Sequence, residues 1–205
     1  MKVTDKIQIT NEDNMQLMSR YNDNYFDLAI VDPPYGIKMH GGIRQYNKYV
    51  NKNWDNEIPS KEYFIEVQRV SKNQIIWGGN YFTEFLYPSR CWLIWDKTIH
   101  GNTFADGEAA WTSFNQNLRI YPLNICHNQG KRFHPTQKPI KLYEWLLINY
   151  AKENDKILDT HLGSGSISIA CHNLGFELTA CELDTEYYEA SIKRIKDHIS
   201  QQRLF

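Results

Sequence analysis

The sequence predicts an α/β fold built around a mostly parallel sheet, and three observations carry that prediction. The last third alternates strand, glycine loop, helix, strand and helix: Lys156 to Asp159, Leu162 to Ser166, Ile167 to Leu174, Glu177 to Cys181, then Asp184 onward. Such alternation means parallel strands joined by crossover helices. Near the N-terminus, Asp27 to Val31 is an apolar run too short for a helix, as expected of a strand buried on both faces. Over the whole chain about seven strand candidates are interspersed with helices, giving a sheet of about seven strands covered on both faces. In such a sheet a ligand sits beyond the carboxyl ends of the strands.

The elements follow in order. Lys6 to Thr10 alternates in character and reads as a strand, followed by the acidic turn Asn11-Glu12-Asp13-Asn14 and a short helix through Arg20. The strand Asp27 to Val31 ends at Asp32-Pro33-Pro34-Tyr35, where two prolines forbid further ladder pairing or a helix. Gly36 to Ser60 is polar, rich in Gly, Asn and Lys, and reads as a long surface loop. Ser60 looks like a helix cap, with Tyr63, Phe64, Val67 and Val70 at helical spacing, and that helix leads to a strand Gln74 to Trp77 and a Gly78-Gly79 break. Cys91 to Trp95 and Gly107 to Phe114 read as strands. Asn115 to Lys131 is polar and irregular apart from an apolar patch near Ile120 to Ile125. After His134-Pro135-Thr136-Gln137-Lys138-Pro139, a helix from Ile140 to Ala151 places Leu142, Trp145, Leu146 and Tyr150 on one face.

Composition narrows the classes. The 205 residues carry 23 basic and 24 acidic side chains, a net charge of -1 that excludes a histone-like basic coat but allows a local basic patch. One domain, 1–205, is expected from that length. The 6 Trp, 13 Tyr and 9 Phe exceed what a core of this size requires, so some flat side chains should do more than pack. No apolar stretch reaches the roughly 18 residues of a membrane helix and the N-terminus lacks the apolar run of a signal peptide. A cytoplasmic protein with no membrane partner is expected. Cys91, Cys126, Cys171 and Cys181 form no C-x-x-C pair and read as reduced, mostly buried thiols. Cys126-His127, His134 and Cys171-His172 lack metal-site spacing, and no metal is expected.

Two constellations carry chemistry. In Asp159-Thr160-His161-Leu162-Gly163-Ser164-Gly165-Ser166 an acidic strand end passes into a Gly-x-Gly turn at a helix start, where backbone N–H groups can approach a ligand closely. Glu182 closes the next strand, where a carboxylate can accept from a ribose 2′- and 3′-hydroxyl pair. Position 168 is Ser, so the loop does not complete G-x-G-x-x-G; a nucleoside with a small appendage fits better than a dinucleotide, and a nicotinamide enzyme is disfavoured. The second constellation is Asp32-Pro33-Pro34-Tyr35. Its prolines hold a rigid turn from which a carboxylate and a backbone carbonyl both serve as acceptors, while Tyr35 offers a flat face to a base.

DPPY followed downstream by HPTQKP and D-x-x-x-G-S-G-S resembles the S-adenosylmethionine-dependent DNA amino-methyltransferases, in the β-ordered group whose catalytic motif precedes the cofactor motif. Trp77-Gly78-Gly79-Asn80-Tyr81-Phe82, Trp95-Asp96-Lys97 and Asp106-Gly107-Glu108-Ala109-Ala110-Trp111 look like the same family's later catalytic-half segments. The resemblance implies a Rossmann-like methyltransferase fold with circularly permuted motif order, and S-adenosylmethionine as cofactor. It implies catalytic roles for Asp32, Pro33, Pro34 and Tyr35. It implies cofactor contacts for the loop residues Asp159, His161, Leu162, Gly163, Ser164, Gly165 and Ser166, and for Glu182. By the same resemblance Asp13 meets the cofactor's adenine or ribose, and Thr136 and Lys138 hold its methionine carboxylate. The chain departs from the family at Asp159-Thr160-His161, where Asp-Pro-Phe is common, so His161 would replace the aromatic's packing.

The implied reaction is methylation of adenine N6 in double-stranded DNA. The N6 lone pair is delocalised into the ring; if Asp32 and the Pro33 carbonyl each accept one N6 hydrogen, the lone pair is localised toward the sulfonium methyl. The base must flip out of the duplex to reach such a pocket, and Tyr35 would stack on it. Arg44, Lys48, Lys52, Lys131 and Arg132 are the candidates for phosphate contact. Cytosine N4 poses the same chemical problem and stands as the alternative, together with a catalytically silent DNA-binding subunit of the same fold. No separate target-recognition domain fits the length, so the loops 36–60 and 115–130 are expected to replace one, and a homodimer is expected from the resemblance.

Overall fold

The computed structural model describes residues 1–38, 55–101, 103, 105–124 and 132–201. Its strands are β1 (Ile7–Asn11), β2 (Phe26–Val31), β3 (Ser71–Trp77), β4 (Trp92–Asp96), β5 (Gly107–Thr112), β6 (Arg119–Pro122), β7 (Lys156–Asp159) and β8 (Glu177–Glu182). They form one sheet in the order β1-β8-β7-β2-β3-β5-β4-β6. β5 alone runs against its neighbours, inserted antiparallel between β3 and β4. All other pairings are parallel. The sheet thus has eight strands rather than the seven expected. The additional strand, β6, lies within 115–130, which reads as loop in the sequence. It pairs with β4 at the sheet edge, where Leu118 and Ile120 are exposed, so no buried face imprints an apolar period on its sequence. Pro122 is tolerated because it ends an edge strand.

The helices are α1 (Asn14–Met18), α2 (Lys61–Val70), α3 (Ile140–Tyr150), α4 (Ser166–Leu174) and α5 (Thr185–Ser200), with a 3₁₀ turn at Gly79–Tyr81. Strand alternation sorts the core into two layers. Leu28 and Ile30 of β2 join Ile75, Ile157, Leu146 and Ile195 on the face covered by α3, α4 and α5. Ala29 and Val31 join Tyr63, Phe64, Val67 and Leu17 on the face covered by α1 and α2. β2 is therefore dry on both sides, which is why it reads as an unbroken apolar run. Trp77, Trp95 and Trp111 are the largest fully buried side chains, so much of the aromatic excess fills the core.

Two helix starts are capped by carboxylates. Asp13 Oδ1 accepts from the backbone N–H groups of Met15 and Gln16 at 2.8 and 3.2 Å, and Asp184 Oδ1 accepts from Tyr187 N at 3.0 Å. Ser60 occupies the cap position of α2, but its side chain makes no capping bond to the backbone. The winding fixes where a ligand can sit. From β7 the chain crosses through α4 to β8 on one side, and from β2 through α2 to β3 on the other. The β7–β2 junction is thus the switch point, with Asp159 ending one strand and Asp32 following the other.

These layers predict a sharp contrast in stability. Ile30→Ala, at a position 1% exposed, should cost about 2–5 kcal/mol. Ile120→Ala, at a position 62% exposed on β6, should cost less than about 0.5 kcal/mol. Urea unfolding of both variants measures the difference.

Candidate active site

The turn after β2 is held from below and from the side. Asp55, itself buried, accepts from the backbone N–H groups of Tyr35 and Gly36 at 2.7 and 2.9 Å. Gly78 has φ of +70°, and a Cβ there would fall 2.2 Å from the Tyr35 ring, so this position demands glycine both for its conformation and for the aromatic's approach. The Tyr35 ring lies nearly parallel to that of Tyr81, with centroids 5.0 Å apart and planes 14° apart. Its hydroxyl donates to Asp32 Oδ1 at 2.6 Å. Asp32, Tyr35, Asn80, Tyr81, Lys97 and Glu108 are among the residues lining a cavity of about 380 Å³ above this turn.

Four charges meet at its floor. The Lys138 ammonium stands 2.5 Å from Asp32 Oδ2 and 3.0 Å from Glu108 Oε2, and Lys97 Nζ stands 2.9 Å from Glu108 Oε1. Lys138 is almost wholly buried. Burial pushes the Asp32 carboxyl above its ordinary range against the opposing pull of Lys138. Burial acts downward on Lys138, but Asp32 and Glu108 outweigh it and hold the ammonium firmly protonated. Burial would likewise raise Glu108, yet the ammonium groups of Lys138 and Lys97 hold it at about 2.

A second cavity of about 320 Å³ opens at the glycine loop. Of the residues expected to hold a cofactor, Asp13, Thr136, Lys138, His161, Leu162, Gly163, Ser164 and Glu182 line it. Glu182 accepts from the N–H groups of Gly163 and Asp184 at 2.8 and 2.9 Å, which aims the carboxylate along the loop. Asp159, Gly165 and Ser166 are not among its lining. Asp159 is buried behind the loop, accepts from His161 N at 3.0 Å, and is pushed by burial to about 8. Gly165, with φ of +74°, starts α4. Ser166 Oγ donates to the Lys138 carbonyl at 2.8 Å, and Arg194 of α5 donates to Ser166 Oγ and the Ser164 carbonyl. These three residues shape the loop and do not line its cavity.

His161 takes the place of an aromatic ring with a polar one. Its Nε2 lies 3.1 Å from the Asn14 amide nitrogen, which can only donate, so Nε2 is the acceptor and Nδ1 carries the proton toward Thr160 Oγ1 at 3.0 Å. Burial lowers the imidazole to about 3, and it is neutral.

The two cavities share Asp32, Pro34 and Thr136. Groups held one in each would meet at the Asp32 carboxylate, an arrangement suited to direct transfer between two bound molecules. The acceptors lining the loop cavity, the Glu182 carboxylate at a strand end and the Asp13 carboxylate that caps α1, suit the hydroxyls of a nucleoside with a polar appendage.

The expected DNA contacts fare differently. Arg44, Lys48, Lys52 and Lys131 lie outside the described residues. Arg132 turns its guanidinium inward, donating to the carbonyls of Pro135 and Gln137 at 3.3 and 3.5 Å, and so braces the HPTQKP turn. Lys97 and Glu108 were unassigned by the sequence, although both fall in segments that carry the family resemblance. Asn80 likewise lies in such a segment without having been assigned, whereas Asp55 and Arg194 carry no local signal at all. Among the described residues no cluster of His, Cys, Asp and Glu suits a metal ion, and no helix is long and apolar enough to cross a membrane.

A family profile described as DNA methylase matches residues 89–193, just over half of the chain. The type II methyltransferase M.HpaI of Haemophilus parainfluenzae is 23% identical over 88% of this chain and 71% of its own length. M.HinfI of Haemophilus influenzae, also a type II methyltransferase, is 23% identical over 92% of this chain and 68% of its own. Among solved structures, the M1.HpyAVI–SAM complex superposes with a TM-score of 0.63 at 21% identity, covering 92% of this chain and 99% of that one. The cytosine-N4-specific PvuII DNA methyltransferase superposes at 0.67 with 13% identity, covering 95% and 92%. Both share the fold.

The neutral His161 sets a pH dependence. Its folded pKa lies below the unfolded value of about 6.5, so its contribution is intact above that pH and is lost as the unfolded chain takes up a proton on acidification. His161→Phe should therefore lose less stability than the wild type between pH 6.5 and about 4, as denaturant unfolding at several pH values would show.

Proposed function

The chain belongs to the N6/N4 family of DNA methylases, and from that premise we propose that it transfers the methyl group of S-adenosylmethionine to the exocyclic N6 of a flipped-out adenine. The observation that carries this reading is the position of Asp32 where two cavities meet, one suited to a nucleoside-bearing cofactor and the other walled by aromatic rings.

When bound, S-adenosylmethionine supplies an electrophilic methyl group on a sulfonium. Glu182 would accept from its ribose hydroxyls, the Gly163 segment would lie along it, and Asp13 would face its adenosine part. On the other side, Asp32 and the Pro33 carbonyl accept the two N6 hydrogens of adenine, drawing the nitrogen toward tetrahedral geometry with its lone pair free. Fixing the amine beside the methyl group contributes through proximity, up to about 7–11 kcal/mol in well-oriented cases. Asp32 then takes the released proton or passes it to water.

Tyr35 stacks on the base, for roughly 1–3 kcal/mol. Tyr81, 44% exposed and 5.0 Å from Tyr35, leaves no room for a base between the rings, so base entry displaces Tyr81 or uses a free ring face. Target reading falls to the segments 36–60 and 115–130, since Ile37 and Asp55 at the two described ends of the first already line this cavity. Two copies of the chain would supplement the modest DNA affinity of a near-neutral protein.

Digestion of DNA methylated by the protein should release N6-methyladenine. N4-methylcytosine would overturn the adenine assignment, and no S-adenosylmethionine binding in calorimetry would overturn the enzyme itself. Asp32→Ala should lower transfer at least about 100-fold while the cofactor Kd stays within about threefold.

A further inference from the structure

Lys138 stands apart from the role that family resemblance gives it. An ammonium has three hydrogens to donate. Here three acceptors surround it: Asp32 Oδ2 at 2.5 Å, Glu108 Oε2 at 3.0 Å and the Tyr35 hydroxyl at 3.2 Å. Its cation also lies over the Trp77 and Tyr35 rings, 5.3 and 5.7 Å from their centroids. Nothing remains to hold a cofactor's carboxylate. Glu108 is gripped from its other oxygen by Lys97, itself mostly buried. Asp32, Lys138, Glu108 and Lys97 thus form, in that order, a continuous chain of two negative and two positive charges.

Burial favours the protonated form of a carboxylate unless a cation is fixed beside it. A protonated Asp32 keeps only part of its acceptor capacity, and its own O–H competes with the amine it must hold. We propose that Lys138, steadied by Glu108 and Lys97, is a positioning residue that keeps Asp32 ionised as the acceptor of the target amine. Lys138 and Tyr35 each take one lone pair on opposite oxygens of Asp32, and the remaining lone pairs are left for the substrate. The role at the amine rests on the function proposed above; the charge arrangement does not.

The groups that act on Asp32 come from every element around it. Tyr35 follows β2, Lys138 precedes α3, Glu108 lies on β5 and Lys97 follows β4. Tyr143 on α3, Tyr63 on α2 and Asp159 on β7 also feel its charge. Among them Lys138 lowers the Asp32 pKa and Glu108 raises it, so their removal has opposite signs.

The test is a titration of the Asp32 carboxyl carbon by 13C NMR in the protein without cofactor, its resonance identified by its loss in Asp32→Asn. Lys138→Met should move the midpoint up by about one pH unit or more, Glu108→Gln should move it down, and Lys138→Arg should leave it in place. The acid limb of the methyl-transfer rate should move the same way, whereas a merely structural loss lowers the rate equally at every pH. Midpoints that do not move, or that move together in Lys138→Met and Glu108→Gln, would overturn the proposal. If Lys138→Met does not fold, Lys138→Gln, which keeps a donor without the charge, decides in its place: a rise supports the proposal, and no change or a fall contradicts it. Correct shifts in a wild type that methylates no DNA would instead sink the functional reading and leave the charge assignment standing.

Discussion

A carboxylate proposed to grip a neutral amine has to stay charged although most of it is buried, and those two demands oppose one another. Burial drives the Asp32 carboxyl toward its neutral form, while the Lys138 ammonium 2.5 Å away drives it back. Lys138 in turn is tolerable at that depth only because Glu108 shares it, and Glu108 because Lys97 balances it. Removing one member leaves an uncompensated buried charge, which is costlier than the gain from any single pair. Much of the local architecture can be understood as holding this set together.

The fold delivers the four residues from distant parts of the chain. Asp32 leaves the central strand β2, whose two apolar faces fix its height at the sheet's carboxyl edge. Glu108 arrives on β5, which reaches the site because it inserts antiparallel between β3 and β4. That insertion brings the start of β5 to the edge where the parallel strands end, with Gly107 opposite Asp96 and Lys97 next in line. Gly107 is held so closely that an added Cβ would meet the Trp95 carbonyl at 2.6 Å. Lys138 comes from the HPTQKP turn, which Arg132 braces from one side and Ser166 from the other. The same turn carries Thr136 into both cavities, so one segment ties the Asp32 carboxylate to the glycine loop.

What the sequence made legible was local. Two prolines after an apolar run locate the end of β2, and an acidic strand end before Gly163 and Gly165 locates the β7–α4 turn, because each signal lies within a few neighbouring residues. Asp13, legible in the sequence as part of the acidic turn before the first helix, caps α1 in the structure while also lining the loop cavity. Less legible was whatever depends on partners far along the chain. Lys138 looks like any lysine before a proline; its role is set by Asp32, 106 positions away. Asp159 and Ser166 share the motif of the glycine loop, yet they face inward, and only the packed structure separates cavity-lining from loop-shaping positions. β6 escaped because an exposed edge strand carries no burial pattern. Arg132 escaped because a basic residue in a polar stretch gives no hint that its guanidinium will be taken by two backbone carbonyls.

The meeting of cofactor and target amine at Asp32, from the two adjoining cavities, is the central proposal. Its most direct test is a crystal structure of the protein with S-adenosylhomocysteine and a short duplex bearing its target site. The prediction is a thioether in the glycine-loop cavity, an extrahelical adenine in the aromatic cavity, and N6 within hydrogen-bonding distance, about 2.7–3.2 Å, of an Asp32 oxygen still paired with Lys138. A thioether or base bound away from Asp32, or Lys138 turned to the cofactor's carboxylate, would contradict it.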